Sequence, residues 1–281
     1  MGSGSARAAV VTGTSSGIGA ACVELLRRRG WRVFAGVRKV EDAERLAAAG
    51  AVPLSMDVTD GAGLAAAAAA VEEAVGAAGI QGLVNNAGVA VPGPLELLPV
   101  EDFQRQLDIN LTGVLRCGQA FLPLLRAGRG RMVNISSMAG RIAAPMLGAY
   151  HASKWGLEGL SDSWRRELIP QGLWVALVEP GAVRSEIWDT ANADAERMLE
   201  GIPEAGKRLY GPMIDASRTL VEQIVPRAIP AAAVAEAVLR ALESPKPRTR
   251  YVVGRDARWA LRAARWLPDK WLDRLMLKRK G

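Results

Sequence analysis

Seven short runs rich in aliphatic residues, at 8–12, 32–36, 52–56, 82–85, 131–135, 174–178 and 251–253, are separated by stretches of helical length. No other feature narrows the fold as much. Several runs are apolar at every position, so each such strand must bury both faces, as strands do in a parallel sheet covered by helices. The segments between them, such as 18–29, 41–49 and 63–78, carry helical periodicity or strong helix propensity, the hexa-alanine at 65–70 included. This rhythm predicts an α/β fold: a single doubly wound domain with a seven-stranded parallel sheet and helices on both faces. We expect it to occupy residues 1–254. The stretch 185–230 breaks the rhythm and reads as an insertion carrying substrate loops, and 255–281 reads as a basic amphipathic helical extension.

With 281 residues, 49% hydrophobic and 23% charged, the chain can bury a sizeable core without disulfides or metal. Cys22 and Cys117 fall inside apolar helical patterns, which suits a reducing cytoplasm. One histidine, His151, and two scattered cysteines argue against a zinc site, and no metal is expected. The opening residues lack the apolar core of a signal peptide, and no apolar run is expected to reach the roughly 18 residues of a spanning helix. The formal charge of +7 is lopsided. Residues 255–281 hold nine Lys/Arg and three Asp, an excess of six, which leaves the body nearly neutral. Nucleic-acid enzymes spread basic residues over a working face, so no nucleic-acid partner is expected.

The first run passes directly into Thr12-Gly13-Thr14-Ser15-Ser16-Gly17-Ile18-Gly19 and then a helix. Glycine is needed where backbone turns tightly or approaches a phosphate, and the free N–H groups of a helix start favour a pyrophosphate. The second run ends Gly36-Val37-Arg38-Lys39, with no acid before Glu41. An acid there reads the ribose 2′-hydroxyl of NAD, whereas a guanidinium clamps a 2′-phosphate. NADP(H) is therefore the expected cofactor, with NAD(H) as the alternative. Asp57 and Val58 follow the third run and are placed to face the adenine. Asn85, Asn86, Ala87 and Gly88 bring amides and small residues to the carboxyl edge of the sheet, where open α/β sheets bind ligands.

Tyr150-His151-Ala152-Ser153-Lys154 puts Tyr and Lys four residues apart, on one helical face. A neighbouring ammonium favours phenolate and lowers the tyrosine pKa, which suits proton exchange with a carbonyl or alcohol oxygen. Ser137, thirteen residues earlier at the end of the fifth run, can donate to the same oxygen. Asn110, in Asn110-Leu111-Thr112-Gly113, sits mid-helix, where an amide has low propensity and needs a reason. A Tyr/Lys pair alone is usually plain helix surface; the conjunction decides. In this order and spacing, over residues 8–254, these five motifs resemble the short-chain dehydrogenase/reductase family. The resemblance implies a Rossmann-type oxidoreductase in which Tyr150 is the general acid/base, Lys154 tunes it and anchors a ribose, Ser137 binds the substrate oxygen, and Asn110 holds a proton-relay water. It also implies that Gly13, Ser15, Ser16, Gly17, Ile18, Gly19, Asn85, Ala87 and Gly88 follow the cofactor, with Pro180, Gly181 and Val183 beside the nicotinamide. Ser185 stands where the family usually has threonine, and keeps the hydroxyl.

Loops over the carboxyl edge offer Met138, Met146, Leu147 and Trp188 as substrate contacts. The surrounding lining is mainly apolar and extends to Val89, Ala90, Pro92, Ile187, Met198, Leu199, Ile202, Leu209, Tyr210 and Met213; the alternative is that many of these side chains simply seat a mobile lid on the core. A hydrophobic ketone or aldehyde and its alcohol fit such a lining. The general look is similar to hydroxysteroid and retinol dehydrogenases. A 3-oxoacyl-carrier-protein reductase and a non-catalytic cofactor-sensing regulator are the alternatives, and the intact Ser/Tyr/Lys/Asn set argues against the regulator. His151 points about 100° away from Tyr150 on a helix and is expected to pack rather than react. Arg141 reads as a solvated loop residue and Cys117 as core. The resemblance implies a homodimer or homotetramer paired through helices beginning near Asp102 and Tyr150.

In the extension, Trp259, Ala263 and Trp266 share a helical stripe beside Arg258, Arg262 and Arg265. A second helix after Pro268 carries Trp271, Leu272, Leu275 and Met276. Basic helices bearing tryptophan lie on anionic membranes, so a cytoplasmic enzyme with peripheral membrane contact is one reading. The favoured expectation is that the stripe packs on the body or on a neighbouring subunit, over the cleft.

Overall fold

The computed structural model describes residues 7–277. The first half of the sheet runs outward: β1 (Ala8–Val11), α1 (Gly17–Arg28), β2 (Arg32–Val37), α2 (Val40–Ala48) and β3 (Val52–Ser55). The chain then crosses back over β1 through α3 (Gly61–Val75) to β4 (Gly82–Asn85). From there α4 (Val100–Leu107) and α5 (Gly113–Ala127) lead to β5 (Arg131–Ile135), and α6 (Gly148–Leu168) to β6 (Trp174–Pro180). Two further helices, α7 (Ile187–Gly201) and α8 (Glu204–Ile224), precede α9 (Ala231–Glu243), β7 (Arg250–Val253), α10 (Arg255–Trp266) and α11 (Asp269–Leu277). All pairings are parallel, in the order β3-β2-β1-β4-β5-β6-β7, with Ala9 beside Val33 on one side and Gly82 on the other. The direction of winding reverses between β1 and β4, which opens a crevice at their carboxyl ends.

Each face of the sheet has its own core. On one, Cys22 and Leu26 of α1 and Val234 and Val238 of α9 cover Val11, Val33, Val133 and Val178. On the other, Leu64 and Val71 of α3, Phe121 of α5, and Leu157 and Trp164 of α6 cover Val10, Phe34, Leu83 and Met132. Gly118 admits the Trp164 ring, since a Cβ there would stand 1.9 Å from Trp164 Cη2. Both cysteines are buried in these cores, and burial pushes their thiols up to about 12, so neither is a ready nucleophile.

Three details differ from expectation. Gly61–Ala78 does have the length and apolar composition of a spanning segment, with a mean hydropathy of 1.2. Alanine supplies that value, and the helix buries only the stripe Leu64, Ala67 and Val71 against the core. The stretch 185–230 folds as α7 and α8, closed at its base by Val183 pairing with Ile229. Its apolar residues Met198, Leu199, Ile202, Tyr210 and Met213 gather around Met146 and Ile214, seating the two helices on the body. Third, α10 buries Ala257 and Leu261, one turn apart, and turns Trp259 and Trp266 outward, 66% and 79% exposed. Ala257 and Leu261, not the tryptophan stripe, are what this helix buries against the body. Leu275 lies outside the side chains the structure describes.

Candidate active site

A cleft of about 2660 Å³ runs along the carboxyl edge of the sheet. The glycine-rich turn after β1 forms one wall. Gly13 has φ +66°, and a Cβ on it would stand 2.8 Å from Ala87 Cα; Gly17 has φ +55°. Gly19 does not face the cleft: a Cβ there would stand 2.1 Å from the Gly13 carbonyl oxygen, so this glycine lets α1 lie against the turn. Asn86 Nδ2 donates to the carbonyls of Thr12 (3.0 Å) and Gly13 (2.8 Å), while Thr12 Oγ1 accepts from the amides of Asn86 and Ala87, both at 2.9 Å. The turns after β1 and β4 are thus locked together. Ser15, Ser16, Gly17 and Ile18 line the wall, and the N-terminus of α1 opens onto it.

Arg38, at the end of β2, lines the far end of the cleft with its guanidinium 71% exposed and 3.9 Å from Asp57. Burial works against the Asp57 carboxylate, but bonds from the Thr59 amide and hydroxyl, with Arg38 nearby, hold it below its ordinary value. Val58, Lys39 and Arg45 line the same end, and Arg45 also donates to the carbonyl of Ser15. Sequence reasoning missed Arg45. It is the basic residue in the last turn of α2, and only the packing of α2 brings it back to the glycine-rich turn.

Ala87, Gly88, Pro180, Gly181, Val183 and Ser185 line the middle of the cleft, where Asn85 does not. Asn85 is buried within the sheet and donates to Asn134 Oδ1 at 2.8 Å, because alternation along β4 points it between strands and gives the cleft to Asn86. Met138, Leu147 and Trp188 also line the cleft; Met146 instead faces the cluster under α7 and α8, with φ +70°.

At the centre stand Ser137, Tyr150 and Lys154. Ser137 Oγ accepts from the Ala139 amide at 3.1 Å and lies beside the Tyr150 hydroxyl, where it favours the phenolate. Lys154 is buried, donates to the carbonyl of Ile135 at 2.8 Å, and holds its Nζ 5.8 Å from the Tyr150 ring centroid. Burial pulls Lys154 down to about 8, with Glu158 opposing. The expected lowering of Tyr150 is not what this arrangement produces. Burial raises the phenol and outweighs Ser137, because the ammonium lies over the ring rather than at the hydroxyl.

Asn110 falls on a five-residue π turn, Asp108–Thr112, between α4 and α5. That irregularity is what a mid-helix amide signalled. Its Oδ1 accepts from the Val89 amide (2.9 Å), and its Nδ2 donates to the Val89 carbonyl (2.9 Å) and to Ser153 Oγ (3.2 Å). It therefore braces the loop after β4 against α6. His151 packs as expected: its ring takes the amide of Ala144 at Nε2 (2.9 Å) and contacts the Ala139 carbonyl through Nδ1 (3.0 Å). This stitches both ends of the loop after Ser137, and burial keeps the imidazole below its ordinary value.

Arg141 is exposed, as expected, but it is also engaged. It pairs at 3.2 Å with Glu179, a fully buried carboxylate at the end of β6. Arg250 of β7 reaches Glu179 (3.1 Å), Glu158 (3.0 Å) and Asp162 (3.1 Å), and Ser136 Oγ donates to Glu158 at 2.6 Å. Burial first, then Glu158, pushes the Glu179 carboxyl up, while both arginines oppose. The sequence signal for this network was a glutamate ending a strand otherwise apolar on both faces.

The short chain dehydrogenase family profile matches residues 7–196. This chain belongs to that family. A similar curated relative, the NADPH-dependent 3-dehydrocapnine reductase of Ornithobacterium rhinotracheale, is 36% identical over 97% of this chain and 96% of its own length. Retinol dehydrogenase 7 of Rattus norvegicus is 37% identical over 92% of this chain and 84% of its own. A short chain dehydrogenase from Burkholderia cenocepacia, crystallised with NADP, superposes with a TM-score of 0.73 at 26% identity, covering 97% and 98% of the two chains. For a member of this family, the arrangement offers a phenol and a hydroxyl side by side at one point of a long cleft, with a buried ammonium beneath them.

Proposed function

We propose that this chain is an NADP(H)-dependent oxidoreductase that interconverts a hydrophobic ketone or aldehyde and its alcohol. The observation that carries this reading is the Ser137–Tyr150 pair above Lys154, in a cleft whose other wall is a glycine turn no side chain can enter. Such a turn fits a pyrophosphate, and Arg38, Lys39 and Arg45 fit a 2′-phosphate at the far end. The NADPH dependence of the 3-dehydrocapnine reductase and the NADP in the Burkholderia structure support the same choice. The bound nicotinamide supplies or takes up the hydride.

The chain's own residues do the rest. Ser137 and Tyr150 both hydrogen-bond the substrate oxygen, which fixes the carbonyl in the cleft. As negative charge develops on that oxygen, the Tyr150 hydroxyl gives up its proton, and the Lys154 ammonium stabilises the phenolate left behind. In the oxidative direction the phenolate takes the alcohol proton. Asn110 and His151 hold the two loops that flank these groups. Met138, Leu147 and Trp188 make an apolar wall for the substrate. We further propose a cytoplasmic enzyme assembled as a homodimer or homotetramer through α4 and α6; Trp155, 52% exposed on α6, supports pairing there.

A screen of apolar ketones and acyl thioesters with NADPH tests the assignment, followed by Tyr150→Phe on the best substrate. General acid catalysis contributes roughly 100- to 10,000-fold, so kcat is expected to fall by that range while NADPH binding holds. A Tyr150→Phe enzyme with near-normal kcat would refute it.

A further inference from the structure

The extension combines two properties that meet at one place. The outward stripe of α10 begins at the mouth of the cleft: Trp259 and Ala263 line the cleft, and the same stripe continues one turn further to Trp266, 79% exposed. Leu272 and Met276 of α11 also line the mouth, beside Trp271, 61% exposed. Arg258, Arg262 and Arg265 form the adjoining row, all exposed, with Arg262 over the Trp259 ring and Arg265 over the Trp266 ring at 5.7 Å. Almost all of the chain's net positive charge lies in residues 255–281.

We infer that α10 and α11 dock this enzyme onto an anionic lipid bilayer, with the mouth of the cleft facing the lipid. Helix packing does not account for the tryptophans, because Ala257 and Leu261 already hold α10 to the body. Exposed tryptophan beside rows of arginine matches an interface that is apolar below and negatively charged above. The concentration of positive charge in this one segment selects an anionic surface over a neutral one. Because the stripe and the cleft mouth share Trp259, Ala263, Leu272 and Met276, an apolar ketone dissolved in the bilayer passes into the cleft without crossing water. That route rests on the proposed substrate class; the docking itself does not.

The test uses the full chain with vesicles of phosphatidylcholine alone and with about a third phosphatidylglycerol. Wild type is expected to co-sediment with the anionic vesicles only, and to be released by high salt, with a blue shift of tryptophan emission on binding. Arg258→Glu/Arg262→Glu/Arg265→Glu is expected to weaken binding by 100-fold or more, since each basic residue near such a surface contributes about 5-fold. Trp266→Ser/Trp271→Ser lies outside the cleft lining and is expected to lose vesicle binding with an unchanged melting temperature and unchanged kcat/KM on a water-soluble ketone. Binding is read without turnover, so a wrong substrate class leaves this result standing. Wild type that ignores anionic vesicles overturns the inference, as does a tryptophan variant whose only change is a smaller particle mass, which would assign the stripe to a contact between copies.

Discussion

Replacing Arg250 with methionine removes a cation shared by three carboxylates behind α6. Arg250 touches Glu158, Glu179 and Asp162 at 3.0–3.1 Å, and Glu179 is wholly buried. Breaking a buried ion pair by removing one partner costs about 3–5 kcal/mol, because the remaining charge is left uncompensated. Arg141 still faces Glu179 at 3.2 Å and Arg165 still faces Asp162, so the low end, about 3 kcal/mol, is the expectation for Arg250→Met. For a chain of this size that is roughly a 6 °C drop in Tm. The loss carries a pH signature. The Glu179 carboxyl is already raised in the folded protein, by burial and by Glu158, and losing Arg250 raises it further. A carboxyl raised by folding costs nothing while both states are protonated and costs progressively more as pH climbs through the unfolded and then the folded value. Asp162, held low by Arg250 among others, loses stabilisation in the same direction. The destabilisation is therefore larger at pH 8 than at pH 5. Urea unfolding at both pH values measures it, and Glu179→Gln added to Arg250→Met is expected to recover more than about 1 kcal/mol by removing the stranded charge. A loss below about 1 kcal/mol, or one equal at the two pH values, would refute the argument.

Arg38→Asp is expected to cost NADPH about 3 kcal/mol, roughly 100-fold in kcat/KM, with NADH little affected; measuring both cofactors on wild type and variant checks it. Gly19→Ala forces a Cβ to within 2.1 Å of a backbone carbonyl, so dinucleotide affinity is expected to fall on the order of 100-fold through displacement of the turn, read by fluorescence titration. Lys154 sits at about 8 when folded, below its unfolded value, so the unfolded state holds the extra proton between the two. Wild-type stability is thus expected to rise relative to Lys154→Met as pH climbs from 8 to about 10.5, by up to roughly 3 kcal/mol, in denaturant titrations across that range.

The alternation of apolar runs and helical segments was enough to determine the sheet, because a strand apolar on both faces has no stable place except between helix layers. The glycine turn and the Tyr150/Lys154 pair were equally legible, since backbone sterics and helical spacing are local properties. Where alternation decided which neighbour faces the cleft, a one-residue difference separated Asn85, buried toward Asn134, from Asn86 on the wall. Met146 and the apolar side of α7 and α8 looked like substrate lining, because the sequence shows that a residue is apolar and not which of two apolar surfaces it meets. Arg141, Glu179 and Arg250 come from a loop and two strands as much as 109 residues apart, and long-range charge pairing leaves no periodic trace. The direction of the tryptophan stripe was likewise settled by packing: Ala257 and Leu261 are the side chains α10 buries against the body, which leaves Trp259 and Trp266 facing outward. Local geometry is written in neighbouring residues, whereas burial is a property of what the rest of the chain brings to a side chain.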